Sequence, residues 1–124
     1  MQRIFKTKHP LRRIASVKYA ASGILHILSN EINFRIQLVI AAVTVFFGIY
    51  FKISNVEWAL LVVSLGMLLT AEMVNTVVEE LMDHMFKEYH DVAKIIKDLS
   101  AGFVLVTACV TLLIIILLFG PYIR

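Results

Sequence analysis

Three apolar runs dominate the chain: FRIQLVIAAVTVFFGIYF over about 34–51, WALLVVSLGMLLTAEMVNTVVE over about 58–79, and SAGFVLVTACVTLLIIILLF over about 100–119. Each is near the ~20 residues with which an α-helix crosses the hydrocarbon core of a bilayer. In lipid every backbone N–H and C=O must find its partner inside the protein, so only helices and closed barrels can span. The runs lack the alternation of barrel strands. The chain is therefore expected to be an all-α membrane protein with three transmembrane helices. Its composition agrees, with 60% of 124 residues hydrophobic and a mean hydropathy of +0.84, where a soluble domain is about half apolar. One domain over 1–124 accounts for this length.

Charge supplies the orientation. Of the twelve Lys and Arg, seven lie at or before Arg35, and Lys87, Lys94 and Lys97 lie between the second and third runs; only Lys52 and Arg124 fall on the other side. Such a bias predicts a cytoplasmic N-terminus and 80–98 segment, with the C-terminus outside, in a multi-pass protein of the inner (cytoplasmic) membrane. The net charge of +3 is too small and dispersed to suggest nucleic acid. Segment 11–31, LRRIASVKYAASGILHILSNE, places Ile14, Val17, Ala21, Ile24, Leu25 and Leu28 at helical spacing, with Arg12, Arg13, Ser16, Ser22, His26 and Ser29 mostly elsewhere. This pattern predicts an N-terminal amphipathic helix lying on the membrane surface. Residues 1–10 are expected to form a mobile basic tail, and Pro10 and Pro121 to sit outside the helices as boundaries. Cys109, alone in the chain, can form no internal disulfide.

The second run does not end in apolar residues. At about 100° per residue, Asn75, Thr76, Glu79 and Asp83 all fall within roughly 60° of Glu72, and Met73, Val74, Val77, Val78 and Leu81 take the opposite side. A carboxylate at membrane depth costs at least ~2.5–3.5 kcal/mol. Several on one face call for something positive among them: a divalent cation, Lys97 or an Arg. A helix end emerging into water would explain Glu80 and Asp83. It explains Glu72 and Asn75 poorly, because a further apolar turn follows them. Glu31 and Arg35 in NEINFR, otherwise an ordinary i, i+4 ion pair at a membrane boundary, and Lys94, Lys97 and Asp98 in KIIKD, otherwise positive-inside anchoring, are expected to converge on the same interface. Acids beside lysines at that depth suit a metal–polyphosphate, with carboxylates for Mg²⁺ and lysines for phosphate. The sequence contains neither a G-x-x-x-x-G-K-[ST] loop nor a Gly-rich kinase loop.

From about Arg12 to Phe119 the sequence resembles the prokaryotic diacylglycerol kinase / undecaprenol kinase family of small integral-membrane lipid kinases. The resemblance is carried by SVKYAASGI at 16–24, NEINFRIQ at 30–37, E-x-x-N-T-x-x-E at 72–79, EYH at 88–90 and KDLSAG at 97–102. It implies a homotrimer with active sites shared between subunits, transferring the γ-phosphate of ATP to a lipid hydroxyl. By match of position, Glu72 would take the proton of that hydroxyl, with Asn75 supporting the site. Glu31 and Glu79 would hold Mg²⁺. Glu88, Tyr89, His90, Lys97 and Asp98 would meet the nucleotide, and Arg12 and Tyr19 would lie near nucleotide and lipid. Gln37 stands where His is frequent, Val77 where Ala is usual, and Phe103 where a small residue is usual. The S-x-K-Y-A-x-x-G-I and N-E-x-N-F-R-I runs look more like the undecaprenol-using branch than the diacylglycerol-using one. The competing reading from another class is a small oligomeric proton or ion transporter with Glu72 as its relay; it has no need of Lys97–Asp98 or the surface helix.

Overall fold

The computed structural model describes residues 10–124, with side chains from residue 15 onward. The expected tail at 1–10 lies outside these residues but for Pro10. The described residues form four helices: α1 (Pro10–Asn30), α2 (Ile32–Phe51), α3 (Asn55–Met85) and α4 (Asp91–Ile123). There is no strand among the described residues. Two compact units result, one ending at Asn30 and the other running from Glu31 to Arg124.

α1 stands as a unit by itself. Pro10 is its first residue rather than a boundary outside it. The first turn of a helix has no use for its backbone N–H groups, so a proline fits there without loss. Of the four helices, only α2, α3 and α4 are long and apolar enough to cross a membrane.

In the second unit, α2 turns into α3 through three residues. Lys52 adopts the left-handed conformation (φ 54°, ψ 50°) and caps α2, its N–H reaching the carbonyls of Gly48 and Ile49. Ser54 then opens α3 with a capping box: its hydroxyl accepts from the Glu57 N–H, and the Glu57 carboxylate accepts from the Ser54 N–H. So short a turn forces α2 and α3 to run antiparallel. Residues Phe86–His90 join α3 to α4, and the His90 ring caps α4 by accepting from the Val92 N–H.

α3 and α4 are longer than the apolar runs within them, because their polar ends remain helical. Pro121 also lies inside α4, in its last turn. It leaves the Leu117 carbonyl without its usual helical donor, a small loss at a helix end where carbonyls are already unpaired.

Along α3 one stripe is buried: Leu61, Leu65, Leu68, Glu72 and Thr76. Its two ends differ in chemistry. Near the α2–α3 turn, Leu61 and Leu65 pack with Ile53, Leu118 and Phe119. Phe51 lies against Phe119 and Tyr122, with ring centroids 6.1 and 5.5 Å apart. The Tyr122 hydroxyl donates to the Glu57 carboxylate at 3.0 Å, tying the end of α4 to the start of α3. Towards the other end the stripe becomes polar. Large apolar side chains such as Val39, Phe46, Val63, Met67, Leu105 and Leu113 face outward, as they do where hydrocarbon takes the place of water.

Candidate active site

Glu72 is the most deeply placed carboxylate, 2% exposed in the middle of α3. The side chain that meets it is neither Lys97 nor an Arg. Gln37 of α2, itself 9% exposed, donates from Nε2 to Glu72 Oε2 at 2.9 Å. An amide N–H can satisfy a buried carboxylate without the desolvation cost of a second charge. Thr76, one turn on, returns its hydroxyl to the Glu72 carbonyl at 3.1 Å. Asn75 donates from Nδ2 to Glu79 Oε1 at 3.2 Å. The E-x-x-N-T-x-x-E element thus carries two separate i, i+4 hydrogen bonds on the inner side of α3.

Glu31 caps the start of α2 in an extended conformation, and its side chain makes no capping bond. From the Gln37–Glu72 bond, travel to the start of α2 and travel to the end of α3 run in the same direction. At 1.5 Å per residue Glu31 lies about 9 Å along, and Glu79 about 10 Å. The two carboxylates therefore stand at nearly one level of the antiparallel pair. Across α3 and α4, the Lys97–Asp83 and Thr111–Ser64 bonds fix a register that places Ser100 at about the same level.

Among the described residues, three buried polar atoms have no hydrogen-bond partner: Gln37 Oε1, Asn75 Oδ1 and Ser100 Oγ. Buried polar atoms are rarely left so; Ser100 Oγ stands at about the level of Glu79, Asn75 Oδ1 one turn away beside it, and Gln37 Oε1 at the level of Glu72. No cluster of three His, Cys, Asp or Glu that could cage a metal exists among the described residues. Mg²⁺ does not require one: it keeps several waters and takes one or two carboxylates together with substrate phosphates. Glu31 and Glu79, the latter bonded to Asn75, are oxygen donors of the kind that ion takes.

The second part of the site is a cleft of about 440 Å³ at the α3–α4 connection. Glu88, Tyr89, His90, Lys97 and Asp98, expected together from the sequence, all line it, along with Lys94 and Asp83. The connection gathers them: Phe86 and His90 hold its two ends together, with ring centroids 4.5 Å apart. Because His90 Nδ1 accepts from the backbone, the neutral ring carries its proton on Nε2, free to donate into the cleft. Lys97 donates to Asp83 Oδ1 at 2.8 Å, and Lys94 pairs with Asp98 one turn along α4. An open, lysine-bearing cleft of this kind can take a polyphosphate by exchange of these exposed pairs.

Tyr19 is exposed on α1, in the other unit, and the side chain of Arg12 lies outside the described residues. Gln37 and Asp83 hold site groups in place, although neither was singled out for a role by the sequence. The signal for Gln37 was its polarity within the apolar stretch FRIQLVI.

Comparison with known proteins bears on this arrangement. The family model described as prokaryotic diacylglycerol kinase matches residues 18–119. The chain is 30% identical to the undecaprenol kinase of Bacillus subtilis (strain 168) over 110 residues, 89% of each chain. It is 26% identical to a diacylglycerol kinase of Synechocystis sp. over 86% of this chain and 67% of that one. To the diacylglycerol kinase of Escherichia coli (strain K12) it is 24% identical, over 82% of this chain and 84% of the relative.

Proposed function

This chain belongs to the prokaryotic diacylglycerol kinase family and is a lipid kinase of a membrane, and from that premise we propose that it transfers the γ-phosphate of MgATP to the hydroxyl of undecaprenol in preference to diacylglycerol. The observation that carries the mechanism is Glu72, a carboxylate buried in an apolar helix and held at one oxygen by Gln37. A lipid hydroxyl is a poor nucleophile and needs a positioned base. Gln37 occupies Oε2 and leaves Oε1 to take the hydroxyl proton. The lipid oxygen then bonds to the γ-phosphorus as the bond to the β–γ bridging oxygen breaks, ADP leaves, and the proton on Glu72 passes to solvent.

Positioning and charge supply most of the catalysis in phosphoryl transfer. Lys97 and Lys94, at the cleft wall, meet the phosphates once released from Asp83 and Asp98. His90 Nε2–H, Tyr89 and Glu88 bound the nucleotide from the connection. Glu31 and Glu79 would hold Mg²⁺, which when bound neutralises charge on the phosphates. Asn75 orients Glu79 through its amide. Tyr19 and Arg12 would meet lipid and nucleotide by match of position with the family alone.

The preference for undecaprenol is supported by the relative named undecaprenol kinase, which is more similar than those named diacylglycerol kinase. Assembly as a homotrimer with shared sites, in the inner membrane with the cleft facing the cytoplasm, completes the proposal. The excess of Lys and Arg on the cleft side supports that orientation. The test is phosphorylation of undecaprenol and of diacylglycerol by the purified protein in mixed micelles with MgATP. Faster transfer to undecaprenol is expected. Faster transfer to diacylglycerol would reverse the substrate assignment, and transfer to neither would remove both.

A further inference from the structure

We propose that Gln37 is a positioning residue for the base, an inference that rests on Glu72 being that base. The amide is nine-tenths buried. One of its N–H groups is aimed at Glu72 Oε2, and its Oε1 is buried without a partner.

Two properties follow from that geometry. First, the bond bridges α2 and α3 and fixes the carboxyl group against rotation, so that Oε1 of Glu72 is held for the hydroxyl proton. Second, the amide can serve both forms that a base must pass through. To the carboxylate it offers Nε2–H. In the carboxylic acid formed when Oε1 captures the proton, Oε2 remains a carbonyl acceptor, and the same Nε2–H serves it without rearrangement. A charged partner would favour the carboxylate over the acid, and an apolar one would bond neither. Leu at this position would fill the space and leave a buried carboxyl with nothing to bond.

The experiment measures kcat and KM for MgATP and for lipid in Gln37→Leu, Gln37→His and Glu72→Gln, each checked for folding and oligomeric state in micelles. Gln37→Leu is expected to lose kcat by about tenfold to hundredfold, the range for a hydrogen bond to a charged group, with both KM values within about twofold. Gln37→His, whose ring carries a donor and an acceptor, is expected to recover most of that loss. Should Gln37→Leu fail to fold, Gln37→Met, which keeps the unbranched shape, is read in its place. Unchanged kcat in Gln37→Leu, beside an inactive Glu72→Gln, would overturn the inference and leave the base in place. So would failure of His to recover activity, or a loss that follows only the folded fraction. An active Glu72→Gln would remove the base itself, and the role of Gln37 with it.

Discussion

Gly48 offers a sharp test of how α2 meets α3. A methyl group added there would stand 2.8 Å from Trp58 Cη2, 3.0 Å from Trp58 Cζ2 and 3.1 Å from Ile53 Cδ1. The first distance is about 0.6 Å short of ordinary contact, and the three atoms close the space from two residues at once. Gly48→Ala gains up to ~1 kcal/mol of helix propensity and loses about 1–3 kcal/mol to overpacking. The net is a loss on the order of 1 kcal/mol, which lowers Tm by roughly 3–5 °C for a chain of this size. Trp58 is the only tryptophan, so thermal unfolding in micelles followed by its fluorescence reports on this contact directly. Trp58→Phe removes the two ring atoms involved. In that background, read by circular dichroism, Gly48→Ala is expected to cost less than half as much. Gly48→Ala as stable as the parent, or equally harmful with and without Trp58, would refute the close packing of α2 on α3 at this point.

The remaining predictions concern the site and the turn. Glu72→Gln keeps an amide that can still bond Gln37, so it is expected to fold while turnover falls by at least about a hundredfold, within the range for loss of a general base; near-normal turnover in the lipid assay would remove Glu72 from that role. Lys97→Ala is expected to raise KM for MgATP about tenfold or more while Tm changes little, since exposed ion pairs contribute about 0–1 kcal/mol. A fall in Tm with KM unchanged would make Lys97 a strut between α3 and α4 instead. Lys52→Gly relieves a left-handed residue, and its benefit of up to ~1 kcal/mol is expected as a small rise in Tm; a fall would show that the Lys52 side chain contributes more than its backbone costs.

The three helices capable of spanning were legible because a run of apolar residues in lipid has few conformational options. The inward turn of Glu72 and Thr76 was legible too, since the period of 3.6 separates them from Val74, Val77 and Leu81. Helix lengths were not. The ends of α3 and α4 are set by Ser54 with Glu57 and by His90, groups that act by capping and leave no trace in hydropathy. The cleft residues were grouped by resemblance, and the cleft that unites them depends on the fold of the five-residue connection. What held Glu72 was least legible of all. Among side chains, charge pointed to Lys97 or an Arg, and the one that meets Glu72 is a neutral amide whose register across α2 and α3 is set by the turn at Lys52–Ser54.

That turn also has a consequence for biogenesis. A ribosome delivers α2 before α3 and α3 before α4, and two apolar helices joined by three residues can enter a bilayer together as a hairpin. Gln37 and Glu72 are 35 residues apart, both within that hairpin, so the carboxylate can acquire its hydrogen bond before α4 has been made. The most costly group to bring into lipid therefore travels with its own escort. α4, made later, can then pack on α3 beside a buried acid that already has its partner.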